Sequence, residues 1–149
     1  MLGGLVGITA SCAYVAPGAA GIVGVVSGLI VPVAVTALER GGIDDPVGAI
    51  AVHAGCGAWG LLAVGIFANG SFGEGLNGVS GPVQGALFGD PRQLLAQAIG
   101  MATSFVGVFC LAFVYFRVVE RLIGNRVDNE VEWQGLDSLE MGSDAYPRE

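Results

Sequence analysis

The sequence predicts an all-α integral membrane protein: about half a helix, then three full membrane-spanning helices, then an acidic tail. Three observations carry that expectation. The composition is too apolar for a soluble globule, since 53% of the 149 residues are hydrophobic and only 13% charged, against about 25% charged in an ordinary soluble domain, and mean hydropathy is +0.69. Three nearly uncharged stretches each reach the roughly 20 residues that cross a hydrocarbon core about 30 Å thick. The charge is also segregated: residues 127–149 hold seven acids and one Arg, leaving a nearly neutral apolar body ahead of them. There is no Lys, and six Arg face thirteen acids. No basic stripe is present to neutralise phosphates, which excludes nucleic acid as a partner.

Residues 1–15 are apolar and stop at Ala16-Pro17-Gly18. They fall short of a full span and are expected to form a truncated helix; a signal peptide of this length would carry a positive n-region, which is absent. Residues 19–38 carry no charge and end at Glu39-Arg40. Pro32 inside them is tolerable in a membrane and predicts a kink, and Gly21, Gly24 and Gly28 suit close contact between helices. Residues 46–68 form the next span, with Asp45 as a capping carboxylate and Pro46 at the first helical position. Asp90 and Pro91 repeat that pair before the last span, 91–123, which stops at Gly124. Between these spans, residues 69–90 are rich in Gly, with Ser71, Asn77, Ser80 and Pro82, and read as an irregular surface connection. The expected domains are thus a membrane part, 1–124, and a tail, 125–149.

Cys12, Cys56 and Cys110 are far apart inside apolar stretches. They fit neither a disulfide framework nor a zinc site, and no metal or cofactor is expected. Arg placement near span ends sets orientation. Arg40, Arg117, Arg121 and Arg126 fall on one side and Arg92 on the other, which predicts a cytoplasmic tail and an external 69–90 loop.

His53 lies near the middle of the 46–68 span, in Ala51-Val52-His53-Ala54-Gly55-Cys56. An ionisable group at membrane depth is costly, faces protein or a cavity, and marks a candidate ion or proton pathway. At α-helical spacing it shares a face with Ala49, Ile50, Cys56, Gly57 and Gly60, mostly small residues that leave room for a narrow lumen or for another helix. A structural histidine bonded across helices is an equal reading from position alone. Haem ligation is weaker, because no second ligand accompanies it.

The stretch Asp44-Asp45-Pro46-Val47-Gly48-Ala49-Ile50-Ala51-Val52-His53-Ala54-Gly55-Cys56-Gly57-Ala58-Trp59-Gly60 resembles the signature of the ammonium transporter, methylammonium permease and Rhesus family, in its ammonium transporter branch. The resemblance extends upstream through Gly3-Gly4-Leu5-Val6-Gly7-Ile8-Thr9-Ala10 and downstream to Tyr146. It implies the C-terminal part of an eleven-helix subunit of a homotrimer in the plasma membrane. Each subunit of such a trimer has a narrow hydrophobic pore. His53 matches the second of two pore histidines, which deprotonate ammonium or relay its proton; an apolar constriction resists a bare cation, while imidazole exchanges a proton near neutral pH. The family's first pore histidine, phenylalanine gate and recruiting site belong to earlier helices, so these 149 residues alone are not expected to conduct ammonium.

In the tail, Gly124 and Arg126, then Gly135-Leu136-Asp137, then Gly142 and Tyr146 match family positions that touch the neighbouring subunit, on the side where PII-type signal proteins dock. Met141, Gln134 and Asp144 depart from the residues common there. An ammonium-sensing receptor module and a non-conducting scaffold for PII-type proteins are the alternative functions. An enzyme is not expected, since no nucleophile and base accompany His53 at a recognisable spacing.

Overall fold

The structure, a computed structural model, describes residues 1–143; Tyr146, matched in the tail motif, lies outside the described residues. Helix dominates, and among the described residues the only β-pairing is an isolated antiparallel bridge between Asn69 and Gln84. The helices are α1 (Leu2–Thr9), α2 (Pro17–Arg40), α3 (Ile50–Phe67), α4 (Pro91–Leu122) and α5 (Asn129–Gln134). Of these, α2, α3 and α4 are long and apolar enough to cross a membrane. The chain forms an all-α, multi-pass membrane protein. It divides into two compact units, Met1–Ser104 and Phe105–Glu149.

In the first unit, α1 packs against both α2 and α3 through small side chains. Gly3 and Gly7 lie four residues apart on its buried face, and Ser11 is buried in the turn that follows, the small-residue pattern that lets membrane helices approach backbone to backbone. A Cβ on Gly7 would fall on Ser27 Oγ of α2, and one on Gly60 of α3 would fall on the Gly7 carbonyl oxygen. The residues of α2 that receive α1 are Gly24, Ser27 and Val31. The sequence suggested Gly21, Gly24 and Gly28 for such contact. Within this chain a Cβ at any of those three meets open space, although the Gly24 backbone itself lies where a Cβ on Gly4 of α1 would touch it.

Three boundaries differ from those expected. The first helix ends at Thr9, and residues 10–15 continue as tight turns in which Ser11 and Cys12 both donate to the Ile8 carbonyl. Helix α2 begins at Pro17 and runs unbroken through Pro32 to Arg40. The third difference is at Pro46, which is not the first helical residue. It sits in a turn closed by the Gly48 N–H donating to the Asp45 carbonyl at 3.0 Å, with Gly48 at φ +69, and the helix starts at Ile50. A left-handed residue cannot belong to a right-handed helix, so the start moves past Gly48.

The 69–90 connection is only partly a surface loop. Val83 is buried with Val64 and Ala68 of the α3 end, and Ala10 and Tyr14 pack on the same cluster. The Gly85 N–H donates to the Ala68 carbonyl at 2.7 Å, and the Gly70 N–H to the Val83 carbonyl at 2.9 Å. Helix α4 then starts at Pro91, where the Asp90 carboxylate accepts the Arg92 N–H at 3.0 Å, satisfying one donor the first turn leaves unpaired.

In the second unit, the later part of α4 carries Phe105, Phe109 and Phe113 stacked at successive four-residue steps, with ring centroids 6.4 and 6.2 Å apart. Arg117 lies 5.0 Å over the Phe113 ring. The chain turns away at Gly124, whose φ is +77. The Asn125 N–H beyond it donates to the Glu120 carboxylate at 2.9 Å. Short helix α5 and a π-helical turn at Asp137–Met141 follow.

Candidate functional site

The candidate site centres on α3, whose two halves have different hydrogen-bond registers. Ile50–Cys56 is π-helical and Gly57–Phe67 is α-helical. Single π turns inside α-helices cluster at functional sites. At the head of this one, Asp45 Oδ2 accepts the N–H groups of both Ile50, at 2.9 Å, and Ala51, at 3.1 Å. The carboxylate thus does cap the helix, reaching five and six residues ahead across the turn rather than acting from the adjacent position.

Past the π turn, α3 is tied to α2. Cys56 is fully buried, with its Sγ 3.5 Å from the Ser27 carbonyl oxygen. The Trp59 indole Nε1–H donates to the Val23 carbonyl at 3.1 Å, and Ser27 Oγ donates to the same carbonyl at 2.8 Å. Gly60 lies against the Gly7 backbone. Neither Ser27 nor Trp59 stood out as a functional residue in the sequence; a hydroxyl and an indole inside apolar runs were the available signals.

His53 points elsewhere. It is exposed, as are Ala49 and Ile50, while Cys56 and Gly60 are buried and Gly57 is intermediate. The α-helical reading grouped all six on one face. The structure splits them, because i→i+5 bonding widens the turn and swings residue 53 away from residue 56. The imidazole stands in the first turn of a helix long and apolar enough to cross a membrane, where an ionisable side chain marks a candidate ion or proton path.

The tail residues lie in the second unit. Gly124, Gly135 and Gly142 are turn positions with φ of +77, +93 and +70. Arg126 pairs with Glu132 across the start of α5. The guanidinium beside Glu132 holds its carboxyl below the usual carboxylate range, and the carboxylate in turn raises Arg126. Leu136 and Asp137 are exposed, and Trp133 is 91% exposed, so the tail offers an apolar surface.

The sequence profile of the Ammonium Transporter Family matches residues 1–146. The chain belongs to this family. Among curated ammonium transporters it is similar to Amt2 of Archaeoglobus fulgidus, 42% identical over 145 residues, covering 97% of this chain and 31% of the relative. It is also similar to the ammonium transporter of Bacillus subtilis, 32% identical over 146 residues, covering 97% and 35%, and to ammonium transporter 1 member 1 of Oryza sativa, 35% identical over 147 residues, covering 98% and 29%. The chain spans about a third of the length of the curated relatives it matches.

Proposed function

We propose that this chain contributes one wall of a membrane pathway for ammonium or ammonia, in which His53 accepts and returns the proton that separates the two species. The observation that carries the reading is the exposed imidazole in the opening π-helical turn of α3, in a chain that belongs to the ammonium transporter family. A neutral imidazole can take a proton from ammonium and hand it on, so that an apolar lumen passes ammonia and a proton where it rejects the cation. The small and apolar residues exposed beside it, Ala49 and Ile50, add no competing charge. The acidic tail is proposed to lie on the cytoplasmic side and to contact a neighbouring subunit of a trimer, or a PII-type signal protein, through the surface around Leu136 and Asp137. The clustering of Arg40, Arg117, Arg121 and Arg126 at span ends supports that orientation.

The test is a chimera in which residues 1–146 replace the matching third of the Bacillus subtilis ammonium transporter. We expect methylammonium uptake by the chimera, and a loss of at least about a hundredfold on His53→Ala, the usual scale for removing a positioned proton-transfer group. Undiminished uptake by His53→Ala would remove the imidazole from the mechanism.

A further inference from the structure

We infer that Asp45, together with the π-helical turn it caps, is a positioning device that turns His53 out of the packed interior of the first unit; the inference rests on the proton-handling role proposed for His53. The half of α3 that follows the π turn has little freedom. Cys56 is seated on the Ser27 carbonyl, Trp59 is bonded to the Val23 carbonyl, and Gly60 has no space for even a methyl group beside Gly7. With that half fixed, the direction of His53 depends on the register of the three-residue step from it to Cys56.

In an α-helix, residues three apart lie on one face. That register would turn the imidazole toward the side where Cys56 is fully buried against α2. With π bonding the structure leaves Cys56 buried and His53 exposed. A π turn is rare and needs support, and the support visible at its head is one carboxylate oxygen holding two successive N–H groups, those of Ile50 and Ala51. These belong to the donors that a helix start leaves without partners. The carboxylate reaches them because the Asp45–Gly48 turn, with Gly48 in the left-handed region, folds Asp45 back over the helix start. The segment is thus held at both ends, by Asp45 before it and by the α2 contacts after it.

The chain has one histidine, so modification by diethyl pyrocarbonate, followed by mass spectrometry of the peptide containing it, reads His53. Labelling of Cys56 by a maleimide reports whether the α2–α3 interface stays closed. With the full chain in detergent micelles, Asp45→Ala is expected to slow His53 modification several-fold while Cys56 stays protected. Asp45→Asn keeps one carbonyl oxygen and is expected to restore most of the original rate. An unchanged His53 rate in Asp45→Ala overturns the inference. So does a reactive Cys56, which would make Asp45 a general support of the fold. No readout here depends on transport, so inactivity of His53 in the uptake assay and failure of Asp45 as a positioning residue are separate results.

Discussion

Two side chains from different helices converge on one atom, the Val23 carbonyl oxygen, which accepts from both Trp59 Nε1 and Ser27 Oγ. The Trp59 bond joins α3 to α2. Trp59→Phe keeps the ring and deletes the donor, and Val23 retains its second partner, so no acceptor is stranded. We expect a loss of about 0.5–1 kcal/mol, the lower part of the usual range for a net hydrogen bond, read from unfolding in mixed detergent. A pH dependence is expected in the tail. Glu132 has its pKa depressed by Arg126, so the stability it contributes is complete above the unfolded carboxyl value of about 4.3 and fades as pH falls through the lower folded value. α5 should therefore fray in acid below that point, followed by the NMR signal of the Trp133 indole. Glu132→Gln should remove the pH dependence, and high salt should weaken it because both partners are exposed.

The close approach of α1, α2 and α3 depends on particular glycines, and a pair of substitutions separates them. Gly60→Ala places a methyl on the Gly7 carbonyl oxygen, which is backbone and cannot swing aside. We expect about 1–3 kcal/mol of destabilisation from overpacking. Gly21→Ala meets open space within this chain and should be nearly neutral, within about 0.5 kcal/mol, in the same unfolding assay. That contrast also marks what could be read from the sequence. The spans were legible because length and charge exclusion are properties of each run by itself. The tight contacts at Gly3, Gly7 and Gly60, with Gly21 and Gly28 left out, were not, because they depend on how α1 registers against Gly24, Ser27 and Val31. The π turn was illegible for a similar reason: any face drawn by periodicity assumes the α-helical period, and a seven-residue change of register (Ile50–Cys56) leaves no mark on hydropathy. Asp45 was visible as a cap, but its reach across a Gly48 turn was not. His53 could be singled out because an ionisable side chain inside an apolar run stands apart without any knowledge of the fold.

Three spanning helices imply that the connections alternate between the two sides of a bilayer, so the 41–49 segment and the tail should share one side and the 69–90 connection should lie on the other. Which side is which depends on the arginines. Arg40 closes α2, and Arg117 and Arg121 lie in the last turns of α4, whereas Arg92 stands alone at the head of α4; under the orientation proposed above, the larger group is expected inside. Cysteines introduced as Asp44→Cys, Ser71→Cys and Asp137→Cys sample the three regions at polar positions outside the spans. In intact cells an impermeant maleimide is expected to label Ser71→Cys alone, with the other two reacting only after permeabilisation, each site being read on its own peptide because Cys12 and Cys110 are also exposed. The inverted pattern would reverse the orientation and move the acidic tail, with its exposed Trp133, to the wrong side for any cytoplasmic signal protein. Labelling of Asp44→Cys and Ser71→Cys from the same side would mean that α3 does not cross, and the imidazole of His53 would then have no membrane path to serve.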